Sequence, residues 1–150
     1  MPKQSPVPDA LDKPFWDACN EGRLVIQNCT ACNRLQQPPE EKCAQCGSAD
    51  HMGWKQMSGR GIIYTYAVMY DTNVPLLYDD QPFNAAVISL LDDAGKDTGI
   101  KLLSHLPGTP VDQVPMDAPV EVVFETTKAT GQKVPEFRVV GPGTIIGDRS

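Results

Sequence analysis

Two Cys-x-x-Cys pairs, Cys29/Cys32 and Cys43/Cys46, stand ten residues apart in a chain of 150. No other feature restricts the fold as tightly. Thiols at this spacing either cross-link or close around a metal. In a reducing compartment such pairs bind metal far more often than they oxidise. Each pair then forms a tight turn in which backbone N–H groups can point at sulfur. A residue that tolerates positive φ after the second cysteine favours that turn. Gly47 follows Cys46, and Asn33 follows Cys32.

Four thiolates complete a tetrahedron, the closed geometry of structural zinc, whereas a catalytic zinc keeps an open position. The ligand set alone also accommodates iron. The two histidines, His51 and His105, lack ligand spacing to each other. His51, five residues past Cys46, could replace a ligand, but the four cysteines do not require it. A redox pair would open a helix in a thioredoxin-like setting, which is missing around these cysteines. A nucleic-acid-reading finger wants basic neighbours. The loop from Asn33 to Lys42 carries two basic and two acidic residues instead. Structural zinc on Cys29, Cys32, Cys43 and Cys46 is the expectation.

Cys19 lies outside the pattern. It falls with Phe15 and Ala18 on one face of a helix expected over Leu11 to Glu21, with Trp16 beside that face. Asp12 is placed to cap this helix, Pro14 suits its first turn and Gly22 its end. That face packs on the protein's own core, or it docks on a partner. A short strand, Arg23 to Asn28, then leads into the cysteines. Lys55 to Gly61 is a polar, glycine-containing junction.

Beyond it the texture becomes β. Strands are expected over Ile62–Tyr70, Asn84–Leu91, Thr98–Leu106, Val120–Glu125 and Val134–Val140. The first carries bulk on both faces, as a central or bent strand does. Asp92 to Asp97 reads as a hairpin turn. Five short strands without a long helix between them predict a small barrel, OB-like or SH3-like. The fold class is therefore mainly β, with an N-terminal helix and a ribbon ahead of a barrel. The expected division is an arm over 1–10, helix plus ribbon over 11–57, barrel over 58–141 and a tail over 142–150.

Two segments exceed a minimal barrel. One is the tail, with Ile145 and Ile146 among glycines. The other is Asp71 to Phe83, a long connection of the kind that is usually functional or disordered.

The 19 acidic residues against 13 basic give a net charge of −6. That balance disfavours phosphate backbones and anionic membranes. No run approaches the ~18 apolar residues of a membrane span. The N-terminus lacks the apolar core of a signal peptide, so a cytoplasmic protein is expected. No G-x-S-x-G elbow, P-loop or H-E-x-x-H is present. Gly59-Arg60-Gly61 precedes no helix pattern and is not a phosphate loop. Asp79-Asp80 and Asp92-Asp93 read as solvated turn residues rather than acid–base pairs.

The order of motifs resembles a known family. The matching residues are Phe15-Trp16, Glu21-Gly22-Arg23-Leu24, Gln27, Cys29-x-x-Cys32 with Leu35-Gln36, and Pro38-Pro39. Cys43-x-x-Cys46-Gly47, Ser58-Gly59-Arg60-Gly61, the Tyr64–Tyr66 strand and Pro119–Glu125 follow. Over Pro14 to Val140 the chain is similar to rubredoxin-like zinc-ribbon plus OB-fold proteins that accompany thiolase-type enzymes. The resemblance implies a non-catalytic subunit in a hetero-oligomer with a thiolase, an acyltransferase, a hydroxymethylglutaryl-CoA synthase or a thiolase-like aldolase. It implies one zinc per chain on the four cysteines and a coenzyme A thioester as ligand of the complex. The partner would carry the catalytic residues, and this chain would shape the acyl-CoA channel.

The stretch Asp71–Phe83 matches none of the family's motifs. Leu76, Leu77 and Tyr78 put apolar bulk on that polar-flanked loop, so they are expected to contact the partner or line the channel. Two alternatives stand beside this reading. One is a single-stranded nucleic-acid binder using Tyr64, Tyr66 and Tyr70 as stacking platforms, which the acidity weighs against. The other is a stand-alone hydratase or thioesterase, which lacks a catalytic constellation here.

Overall fold

The computed structural model describes residues 4–146. Helix α1 spans Lys13–Asn20, two residues shorter than expected at its start and one at its end. Pro14 occupies its first turn. Asp12 does not cap it: the Asp12 carboxylate accepts the Asp9 N–H at 2.8 Å instead. Gly22 ends the helix at φ +74°, and two bonds close that end. Gly22 N–H donates to the Cys19 carbonyl, and Arg23 N–H to the Ala18 carbonyl.

A three-stranded antiparallel sheet follows, with order β2-β1-β3. Its strands are β1 (Val25–Cys29), β2 (Leu35–Gln36) and β3 (Met52–Gln56). The expected junction at Lys55–Gly61 is thus partly strand. Lys55 and Gln56 finish β3, pairing with Ile26 and Val25.

The barrel begins with β4 (Arg60–Met69) and continues through a 3-10 turn (Pro75–Asp80), β5 (Phe83–Leu91) and β6 (Asp97–Ser104). After β7 (Pro115–Met116) come β8 (Pro119–Thr126), β9 (Lys133–Val139) and β10 (Thr144–Ile145). Five strands form one curled sheet of order β6-β5-β4-β8-β9. The first expected strand is indeed the central one, and it bends at a bulge between Ile63 and Thr65. The two edge strands meet where Phe137 N–H donates to Ser104 Oγ at 3.0 Å. This partly open Greek-key barrel is the OB-fold arrangement rather than the SH3-like one. In the tail, β10 pairs with β7.

Gly61 marks a close approach inside the barrel. A Cβ there would lie 2.5 Å from Ile88 Cγ2 and 2.9 Å from the Ser89 carbonyl oxygen. The glycines around Arg60 therefore serve strand packing, not phosphate binding.

One hydrophobic core runs through the described residues. Phe15 and Cys19 of α1 and Val25 and Ile26 of β1 join it, as do Ile88 and Phe137 of the barrel. Helix α1 is also tied to the β8–β9 turn: Gln132 Nε2 donates to the Trp16 carbonyl, and Lys133 N–H to Asn20 Oδ1. Of the two readings for its apolar face, packing on the protein's own core is the one realised. Among the described residues, no helix is long and apolar enough to cross a membrane.

Candidate metal centre and adjoining cleft

The two cysteine pairs fold into matching turns. Asn33 N–H donates to the Cys29 carbonyl at 2.7 Å, and Gly47 N–H to the Cys43 carbonyl at 2.9 Å. Each turn closes in the other direction as well, Cys29 N–H to the Arg34 carbonyl and Cys43 N–H to the Ser48 carbonyl. Asn33 and Gly47 both take positive φ, +61° and +74°. This is the conformation expected after the second cysteine of each pair.

The turns face one another. Cys29 Sγ lies 3.6 Å from Cys46 Sγ, and Cys32 Sγ 3.5 Å from Cys43 Sγ. All four sulfurs lie within 4.8 Å of one another. A tetrahedral ion with metal–sulfur bonds of about 2.3 Å places its sulfurs about 3.8 Å apart, so the set fits one such ion. The separations are far too long for disulfides.

The electrostatics point the same way. The Cys46 N–H favours the Cys43 thiolate; burial opposes it, but the Gln45 N–H and the nearby sulfurs help bring that thiol down to about 6. The Arg34 N–H favours the Cys32 thiolate, yet burial and the neighbouring sulfurs outweigh it and push Cys32 up to about 12. The four sulfurs compete for charge, and a divalent cation removes that competition. His51 takes no part: its Nδ1 pairs with Ser48 Oγ at 2.7 Å. Cys19 is fully buried, and burial pushes its thiol up to about 12, which makes it inert.

A pair of buried amides holds the loop between the cysteine turns. Gln36 Nε2 donates to Gln27 Oε1 and to the Lys42 carbonyl, and Gln36 Oε1 accepts the Ala44 N–H. Gln27 completes the brace, accepting the Glu40 N–H and donating to the Glu40 carbonyl. Replacing Gln36 by leucine leaves the Ala44 N–H and the Lys42 carbonyl without these partners. The expected loss is about 2–3 kcal/mol in denaturant unfolding. Metal should then be held about tenfold more weakly against a competing chelator. Wild-type unfolding and wild-type retention would show that the brace is dispensable.

Next to the ribbon lies a cleft of about 740 Å3, lined by Gln37, by the 3-10 turn and by β6 and β9. The turn divides the three residues singled out from sequence. Leu77 lines the cleft, whereas Leu76 and Tyr78 face outward, 76% and 52% exposed. Val74, Leu77 and Asp80 recur every three residues, the period of a 3-10 helix, and all three line the cleft. Asp80 is thus not the solvated turn residue that sequence suggested, since its Oδ1 is buried without a hydrogen-bond partner. Asp92 does behave as one, accepting the Ala94 and Lys96 N–H groups.

Fold and site define a protein of the four-cysteine ribbon plus OB-fold class. Residues 16–51 match the family model described as ChsH2, rubredoxin-like zinc ribbon domain. Residues 54–125 match that described as ChsH2, C-terminal OB-fold domain. The chain belongs to this ChsH2 family.

It is 33% identical over 135 residues to a "Probable enoyl-CoA hydratase alpha subunit" of Thermomonospora curvata. That match covers 87% of this chain and only 38% of the relative's length. Among solved structures it is similar to the "Ltp2-ChsH2(DUF35) aldolase", with 27% identity and a TM-score of 0.74. There 90% of this chain and 98% of the other are covered. A DUF35-family protein of unknown function from Sulfolobus solfataricus shares the fold at 14% identity and a TM-score of 0.57, over 87% of this chain and 86% of that one.

Proposed function

We propose that this chain is a non-catalytic accessory subunit of a thiolase-superfamily acyl-CoA enzyme. The observation that carries the reading is the similarity to a chain of the Ltp2-ChsH2 aldolase along nearly the full length of both. The chemistry of the chain agrees. Cys29, Cys32, Cys43 and Cys46 would hold one zinc in a closed site, which braces the ribbon and leaves no position for substrate. The buried Cys19 offers no nucleophile. The reacting groups therefore belong to a thiolase-fold partner, and this chain stabilises the hetero-oligomer and shapes the path of the acyl-CoA. The outward pair Leu76 and Tyr78 meets that partner. The ribbon over 11–57 and the barrel over 58–141 act as its two structural modules, in a reducing, cytoplasmic setting that keeps the thiols available to metal.

The test is reconstitution. The purified chain and a thiolase-fold protein from the same cell should form a stoichiometric complex. That complex should cleave or transfer an acyl-CoA that neither chain processes alone. Failure to assemble, or turnover by this chain alone, removes the reading.

The Thermomonospora relative favours a second partner class, a hydratase. A complex that adds water across an enoyl-CoA and leaves its carbon skeleton intact would select that reading.

A further inference from the structure

The cleft has a composition that the accessory-subunit reading does not call for. Four parts of the chain build it. The ribbon supplies Gln37, the 3-10 turn Leu77 and Asp80, and the barrel edge Leu103, while Trp16 of α1 adds an indole. Its volume of about 740 Å3 lies in the range that encloses a small organic molecule. The wall is mainly apolar, and two oxygens in it stand out. Gln37 Oε1 and Asp80 Oδ1 are both buried and have no hydrogen-bond partner.

Unpaired buried acceptors are rare in folded proteins and call for a missing donor. Both atoms can only accept: one is an amide carbonyl and the other a carboxylate oxygen. They come from different parts of the chain, the ribbon and the 3-10 turn, and both line the one cleft. Lys101 and His105 line the cleft too, with the Lys101 ammonium drawn over the Tyr64 ring at 4.7 Å, so the two unpaired acceptors rather than the net charge of the wall favour a head that donates.

We propose that this cleft binds an apolar small molecule carrying a hydrogen-bond donor, a hydroxyl or an ammonium, with Asp80 and Gln37 accepting from that head. The alkyl or ring body lies against Trp16, Leu77 and Leu103. The site is independent of the acyl-CoA assignment, because a guest of this kind needs no thioester and no partner chain.

The cleft contains its own reporter. The chain has two tryptophans, and only Trp16 lines the cleft. In the full, metal-loaded chain carrying Trp54→Phe, emission from Trp16 is titrated with 1-octanol, octylammonium, octanoate and octyl phosphate below their micellar concentrations. Octanol or octylammonium should give a saturable shift, with octanoate and octyl phosphate at least about tenfold weaker, the discrimination of a hydrogen bond to a charged acceptor. Asp80→Leu should weaken the preferred probe by about tenfold while far-UV dichroism and metal content stay unchanged. Gln37→Leu provides the same comparison should Asp80→Leu fail to fold. No saturable shift, equal response to all four probes, or wild-type affinity in the folded variants would overturn the proposal.

Discussion

Replacing Cys43 by alanine will cost the ribbon its ion and its fold. Cys43 is buried, and its sulfur lies 3.5 Å from that of Cys32. Removing it opens the tetrahedron and leaves three thiols that cannot share their charge. Beyond β1, whose Val25 and Ile26 reach the shared core, the ribbon has few apolar contacts to hold it. β2 is only two residues long, and the residues from Met52 to Gln56 are half-buried or exposed. In such small modules the free energy of metal binding is the free energy of folding. Metal analysis should fall from about one ion per chain, the stoichiometry of a closed four-cysteine site, to none. Amide exchange should become fast from Gln27 to Gln56 and, through the shared core, in the barrel strands as well. A variant with intact protection and no metal would show that the cysteines only pack.

The second large effect concerns assembly. Leu76→Ser with Tyr78→Ser should leave the isolated chain as stable as before, since both side chains already face solvent. Binding to the proposed thiolase-fold partner should weaken by about a thousandfold if each acts as an interface anchor worth about 2 kcal/mol. Leu77→Ser is the informative control. Leu77 lines the cleft, so its replacement should change what the cleft binds more than what the complex holds. Unchanged assembly in the double variant would remove the outward face of the 3-10 turn from the interface.

The barrel strands were legible because their β-branched and aromatic runs are local signals. All five fall within about two residues of the expected ranges. The cysteine turns were legible for a similar reason: Asn33 and Gly47 announce positive φ by residue type. β3 was not. Met52-Gly53-Trp54-Lys55-Gln56 has no β-branched residue, and it is a strand only because β1 lies alongside it. Asp12 misled because another donor, the Asp9 N–H, took its carboxylate. The 3-10 turn was hidden because Val74, Leu77 and Asp80 mix two apolar residues with a charge. Only the fold shows that this row lines a cleft. Gln27 and Gln36 were noticed as part of a resemblance, but their mutual brace depends on a loop whose path sequence alone does not reveal.

The shared core makes the protein indivisible in a practical sense. Val25 and Ile26 lie on the same short strand as the candidate ligand Cys29, and they bury against the set that includes Phe137. Ligation at one end is therefore felt through the whole interior as cooperativity. Calorimetry should record a single transition whose midpoint follows metal occupancy, with no separate melting of the barrel. A gene fragment cut between β3 and β4 would expose apolar surface on both pieces, so neither piece is a transferable cassette.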